Sequence, residues 1–185
     1  MSESQVLNHD IEFEQLISDE EIQGRVAAIA AAIDERYGGQ ELIVVMIMKG
    51  AICFVADLIR AINTDFSLEY LRCSSYGKSG TQRGELKISG LEDLEIEGKH
   101  VLLVDDICDS GHTLKAVSEA IEKKNSASIA SVVLLSRKVK RPVNYEPDFT
   151  LFSIEQDDFV VGYGLDYKEK YRGLPGVYTV KGNWS

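Results

Sequence analysis

The run Leu42-Ile43-Val44-Val45-Met46-Ile47-Met48 offers no polar residue to either side of a pleat. A strand with one wet face alternates in polarity. One that is apolar throughout must be covered on both faces, which is the setting of a parallel sheet. The run ends at Lys49-Gly50, and Ile52, Val55, Ile59 and Ile62 then recur at helical spacing. The pattern repeats downstream. Lys99 to Val104 reads as a strand running into Asp105-Asp106, and a helix carrying Leu114, Val117 and Ile121 begins near Thr113. Ile129 to Leu135 is the next buried strand. Buried strands alternating with helices predict an α/β fold with a central parallel sheet flanked by helices.

The remaining elements are weaker. Ser18 and Glu21 form a capping-box pattern ahead of a helix over Asp19–Tyr37, with Ile22, Val26, Ile29 and Ile33 as its apolar stripe. A half-buried strand is expected over Ser67–Arg72, and shorter ones over Phe149–Ile154, Phe159–Tyr163 and Val177–Val180. Ser74 to Gly84 is polar, glycine-containing and aperiodic, the pattern of a mobile loop. Neither repeats nor a linker divide the chain, so a single domain over 1–185 is expected.

Composition removes several function classes. A formal net charge of −10 over 185 residues argues against nucleic-acid binding through a basic face. Cys53, Cys73 and Cys108 are odd in number and lack metal-ligand spacing, as in a reducing compartment. No apolar run nears the roughly 18 residues of a membrane span, and Met-Ser-Glu-Ser-Gln lacks the features of a signal peptide. A cytoplasmic protein without membrane or nucleic-acid partners is expected.

In open α/β sheets ligands sit beyond the carboxyl ends of the strands. Lys49-Gly50 and the stretch from Asp105 to Thr113 both occupy that position. The second is the more informative: Val101-Leu102-Leu103-Val104-Asp105-Asp106-Ile107-Cys108-Asp109-Ser110-Gly111-His112-Thr113. Backbone N–H groups opening a helix, with Ser and Thr hydroxyls beside them, make a phosphate cradle. The acids before them can hold sugar hydroxyls or a hard cation that prefers oxygen ligands. A plain strand-to-helix turn capped by Asp109 or Ser110 would explain one such residue, but not two adjacent acids and a third.

That segment resembles the phosphoribosyl-pyrophosphate motif of the type I phosphoribosyltransferases: four apolar residues, two acids, two apolar residues, then Asp-Ser/Thr-Gly-x-Thr. Phe159-Val160-Val161-Gly162-Tyr163-Gly164-Leu165-Asp166-Tyr167, with Arg172 and Leu174-Pro175, is similar to the C-terminal signature of the hypoxanthine-guanine branch. Lys49-Gly50 resembles that branch's pyrophosphate-binding dipeptide. Ser75-Tyr76 and Gly84-Glu85-Leu86-Lys87 resemble the two ends of its flexible catalytic loop. The likeness spans about residue 10 to residue 180.

The resemblance implies the type I phosphoribosyltransferase fold, with a small hood formed by terminal segments and the flexible loop. It implies transfer of phosphoribosyl from phosphoribosyl pyrophosphate to a 6-oxopurine, hypoxanthine first, with Mg²⁺, in a homodimer or homotetramer. Asp105 and Asp106 would bind the ribose hydroxyls directly or through Mg²⁺, and Asp166 would ligate a second Mg²⁺. Asp109 would be the acid/base beside purine N7. Ser110, Gly111, His112 and Thr113 would hold the 5′-phosphate, and Lys49, Gly50 and Arg172 the pyrophosphate. Ser75 and Tyr76 would belong to the closing loop. Phe159 would stack on the base and Val160 would present main-chain groups to its edge. With equal spacing from the phosphate loop, the family's lysine for the 6-oxo group falls on Arg137; a one-residue shift would put that contact on Lys138. A guanine- or xanthine-preferring transferase would carry the same residues. A nucleotide-sensing regulator on this fold should show a basic face, which this acidic chain lacks.

Other features read as ordinary. Gly77-Lys78-Ser79 has Arg72 where a P-loop needs its first glycine. His9 and His100 lack ligand partners in sequence and read as surface residues, and the side chain of His112 is expected to face solvent. Cys108 is expected to be buried beneath the phosphate loop. Lys138-Val139-Lys140-Arg141 reads as a solvated basic run.

Overall fold

The structure, a computed structural model, describes residues 12–75, 86–139, 142–155 and 159–181. Helix α1 covers Asp19–Tyr37 and starts at the predicted cap: the Ser18 side chain accepts from the Glu21 N–H, and the Glu21 carboxylate accepts from the Ser18 N–H. Such a cap is worth about 1 kcal/mol. Ile22, Val26, Ala30, Ile33 and Tyr37 form its buried stripe.

Strand β1 (Glu12–Ile17) precedes this helix. After it come β2 (Leu42–Met48), α2 (Ile52–Ala61), β3 (Phe66–Ser75), β4 (Leu86–Ser89) and β5 (His100–Cys108). Helix α3 (His112–Glu122) and strands β6 (Ser128–Arg137), β7 (Phe149–Ile154), β8 (Val160–Val161) and β9 (Val177–Lys181) complete the described elements. One sheet has six strands in the order β4-β3-β2-β5-β6-β7. All its pairings are parallel except that of β4 on β3. The other has three strands in the order β1-β9-β8, paired antiparallel, and joins the two ends of the described chain into the expected hood.

The apolar run of β2 shows why both faces had to be covered. Leu42 and Val44 pack with Val26, Ile33, Phe54 and Leu58 of α1 and α2. Ile43, Val45 and Ile47 pack on the opposite face with Leu114, Val117 and Ile121 of α3. At about 1.5–3 kcal/mol for each fully buried aliphatic side chain, these two layers supply the main force organising the sheet.

Several expectations need correction. The apolar face of α2 is Phe54, Val55 and Leu58, not a stripe beginning at Ile52, which is 47% exposed. Ser74 and Ser75 are not loop: β3 runs through them and pairs with Lys87 and Leu86 of β4. The expected strand Phe159–Tyr163 shrinks to Val160–Val161, because Gly162 turns back to bridge Leu165. β1 and β4 were not foreseen; β1 alternates irregularly between polar and apolar residues, pairs antiparallel with β9 and buries Ile17 at its end. His100 is partly buried, with its Nδ1 2.8 Å from Ser128 Oγ and its ring beside Tyr37. His9, Tyr76, the Gly77-Lys78-Ser79 segment, Lys140 and Arg141 lie outside the described residues.

Two polar ties lock the layers. Asp34, near the end of α1, accepts from the Asn63 and Thr64 N–H groups and from both of their side chains, at 2.8–3.0 Å. Tyr163 donates to Asp57 of α2 at 2.5 Å, which pins the 162–174 segment to the helical face.

Candidate active site

The carboxyl ends of β2 and β5, the turn into α3 and the 162–174 segment surround a cleft of about 360 Å³. Lys49, Gly50, Asp105, Asp106, Asp109, Ser110, Gly111, Thr113, Asp166 and Arg172 line it, so ten of the expected positions meet on one surface.

The turn from β5 to α3 is shaped by Gly111, whose φ of 76° is the left-handed conformation that glycine adopts without strain. Gly111 is also the helix N-cap, so the capping residue of α3 has no side chain of its own to offer. Neither Asp109 nor Ser110 occupies the N-cap position that the capped-turn alternative required. Ser110, Gly111 and Thr113 line the cleft, so the amino end of α3 borders it, where the helix dipole favours an anion.

Beneath that turn sit the paired acids. Asp105 is buried, its Oδ1 accepting from the Asp106 N–H at 3.0 Å, and Asp106 Oδ1 accepts from the Ile107 N–H at 2.8 Å. Burial, and then the neighbouring Asp106, push the Asp105 carboxyl well above the usual carboxylate range. Burial also raises Asp106, against hydrogen bonds that favour its charge. Across from them, Gly50 has no room for a side chain: a β-carbon there would collide with the Asp106 carboxylate.

The third wall is the 162–174 segment. Gly164, at φ 100°, lies so close to the Gly50 carbonyl that only glycine fits. Arg172 donates to the Gly164 carbonyl at 2.8 Å and pairs with Asp166 at 2.9 Å. Glu169 pairs with both Arg172 and Lys49, at 3.1 Å each. Its carboxylate is held below the ordinary range by the Lys49 hydrogen bond first and the Arg172 one second.

Among the described residues, five expected positions and the alternative Lys138 stand outside the lining. His112 is exposed at the first position of α3, as expected for a solvent-facing side chain. Phe159 is exposed at the edge of the hood with its ring edge-on to Tyr167, and Val160 is buried in β8. Arg137 closes β6 rather than following it, and its Nε lies 4.0 Å from Asp109 Oδ1. Lys138 points away, its Nζ bonded to Glu155 at 3.0 Å. Ser75 ends β3 in register with Leu86.

Sequence reasoning missed Cys73 and Glu169. Cys73 lines the cleft from β3, and burial followed by the charge of Asp105 pushes its thiol up to about 11. Cys108 is buried as expected. Glu169 stands three residues before Arg172, an acid–base spacing that a tight turn brings together.

Four carboxylates (Asp105, Asp106, Asp109, Asp166) and two cationic side chains (Lys49, Arg172) line the cleft. The carboxylate oxygens are the donor type that a hard, oxygen-preferring ion takes. Among the described residues no three His, Cys, Asp or Glu side chains converge on one ion position.

Three comparisons bear on this arrangement. The hypoxanthine-guanine phosphoribosyltransferase of Aquifex aeolicus is 42% identical over 167 residues, covering 90% of this chain and 93% of its own. The enzyme of that name from Bacillus subtilis is 40% identical over 176 residues, covering 95% of this chain and 97% of its own. A crystal structure of a hypoxanthine phosphoribosyltransferase from Staphylococcus aureus superposes with a TM-score of 0.87 at 36% identity, covering 97% of both chains. The phosphoribosyl transferase domain family matches residues 14–168. With the β5–α3 turn, its paired acids and every residue of the cleft lining except Arg172 inside that match, the chain belongs to the phosphoribosyl transferase family.

Proposed function

We propose that this chain is a 6-oxopurine phosphoribosyltransferase of purine salvage, converting hypoxanthine and phosphoribosyl pyrophosphate to IMP and pyrophosphate. The observation that carries the reading is the meeting of Lys49-Gly50, the Asp105–Thr113 turn and the Asp166–Arg172 segment around one cleft. The whole of 1–185 acts as a single domain in this reading.

The reaction is a substitution at the anomeric carbon. The bond from purine N9 to C1′ forms, the bond from C1′ to the pyrophosphate oxygen breaks, and its electron pair leaves with pyrophosphate. Positive charge gathers on the sugar and negative charge on the leaving group, so fixed charges around both dominate the acceleration. The α3 N–H groups, Ser110 and Thr113 seat the 5′-phosphate. Asp105 and Asp106 face the ribose hydroxyls. Lys49 and Arg172 lie where the departing pyrophosphate needs cations. Asp109 holds or takes the proton at purine N7, a role typically contributing about 10²–10⁴-fold. Arg137 turns its donors toward the 6-oxo group, and Phe159 and Val160 receive the base from the hood side. Asp105 and Asp106, and separately Asp166, would hold Mg²⁺, which would supply charge neutralisation to the substrate oxygens and the leaving group.

The same reading makes the protein cytoplasmic and homo-oligomeric, with small molecules as its partners; among the described residues no helix is long and apolar enough to cross a membrane. A steady-state assay with phosphoribosyl pyrophosphate, Mg²⁺ and each purine in turn tests the reading. Turnover of hypoxanthine, with guanine accepted, is expected. Preference for guanine or xanthine would reassign the base, and turnover of none would overturn the activity.

A further inference from the structure

Lys49 and Arg172 come from opposite walls of the cleft, yet one carboxylate joins them. Both Glu169 oxygens lie 3.1 Å from Lys49 Nζ, and Glu169 Oε2 also accepts from Arg172 Nη2 at 3.1 Å. A single anion bridging these two cations is the arrangement a pyrophosphate oxygen would make with them. Glu169 is presented by a turn in which Lys168, Glu169 and Tyr171 have φ values of 50°, 64° and 72°. Non-glycine residues adopt that left-handed region at an energetic cost, and such strain gathers where a side chain must be held in one place. The Glu169 N–H also donates to Asp166 Oδ2 at 2.8 Å, which fixes the turn from within.

We propose that Glu169 is a positioning residue, an internal anion that holds Lys49 and Arg172 together and is displaced when a pyrophosphate group enters. The inference rests on the phosphoribosyltransferase reading above. The Glu169 side chain is 65% exposed, so solvent screens its ion pairs and an incoming polyanion can displace them. After displacement Arg172 keeps its bonds to Asp166 and to the Gly164 carbonyl. Only Lys49 loses a tether, so the cost of disordering the site is small. Competition and charge repulsion from Glu169 are then the larger effects, and removing its charge tightens pyrophosphate binding. In the parent enzyme the returning carboxylate helps expel the product.

The test is calorimetric titration of inorganic pyrophosphate, in Mg²⁺ buffer, into the parent protein, Glu169→Gln and Glu41→Gln. Glu41 makes an exposed ion pair with Lys99 at the amino end of the sheet, so its variant removes the same charge far from the cleft. Glu169→Gln is expected to bind pyrophosphate about two- to tenfold more tightly, the range for losing exposed ion pairs to a competitor. Glu41→Gln is expected to match the parent. In a Lys49→Met background the gain from Glu169→Gln should shrink, because the contact it relieves is gone. Equal or weaker binding by Glu169→Gln, or a gain undiminished without Lys49, overturns the proposal. A parent protein that binds no pyrophosphate would instead bring down the phosphoribosyltransferase reading beneath it.

Discussion

Arg137 Nε stands 4.0 Å from Asp109 Oδ1, and the register of β5 on β6 puts it there: Cys108 pairs with Ser136, so the next residue of each strand meets at the sheet's carboxyl edge. The Arg137 side chain is 12% exposed and that of Asp109 58%. One is enclosed by the fold, and the other is open to a ligand.

Asp109→Asn removes the proton acceptor but keeps the shape. We expect kcat to fall by about tenfold or more while the affinity for phosphoribosyl pyrophosphate is nearly unchanged, the pattern of a group that acts on a proton. Steady-state kinetics with hypoxanthine, paired with direct binding of phosphoribosyl pyrophosphate, checks this. Lost binding with normal kcat would remove Asp109 from the acid/base role.

A guanidinium is a planar, donor-only group, suited to a 6-oxo acceptor and mismatched to a 6-amino group. Arg137→Ala should therefore lower kcat/KM for hypoxanthine strongly. Lys138→Ala should be nearly silent, since Lys138 is 58% exposed and bonded to Glu155. Adenine should be rejected by about 10⁴-fold, as a site built for a polar partner rejects an analogue lacking it. Sensitivity confined to Lys138 would move the contact by one residue, and efficient use of adenine would overturn 6-oxopurine selection.

Metal removal is the third expectation. With Asp105, Asp106, Asp109 and Asp166 around the cleft, phosphoribosyl pyrophosphate should not react in excess chelator, and Mg²⁺ should restore turnover. Assays at graded free Mg²⁺ give the dependence; full turnover with chelator present would exclude a metal requirement.

Asp34 predicts a pH dependence of stability. Partial burial raises its carboxyl, but the bonds from Asn63 and Thr64 outweigh that, and the net shift is downward. A carboxylate lowered on folding contributes stability above its unfolded pKa, about 3.9, and loses that contribution as pH falls through the lower folded value. Asp34→Asn should thus cost about 0.5–1.5 kcal/mol near neutrality, the net worth of a hydrogen bond where solvent screens a partly exposed carboxylate. The difference from the parent should narrow below about pH 4. Denaturant melts of both proteins at pH 7 and pH 3.5 measure it. A constant difference would assign the cost to packing.

What the chain determined by itself was local. The Ser18–Glu21 cap, the unbroken apolar strand Leu42–Met48 and the stripe Leu114, Val117 and Ile121 each depend on neighbours within a few residues. Their periodicity was enough to place them. The Asp105–Thr113 turn was legible for the same reason, since strand, acids, glycine and helix start are consecutive. What lay between distant segments was not legible. β1 mixes three polar with three apolar residues and shows no clear strand period, and its hydrogen-bonded partner β9 comes from the other end of the chain. Ile52 looks like core by spacing, but the packing of α2 on α1 turns Phe54, Val55 and Leu58 inward instead. Glu169 reaches Lys49 across 120 residues, a contact made by docking Gly164 against Gly50. Short-range order follows from backbone geometry and side-chain period. Pairing across the chain follows from which surfaces the collapsed core brings together, and only the tertiary structure decides that.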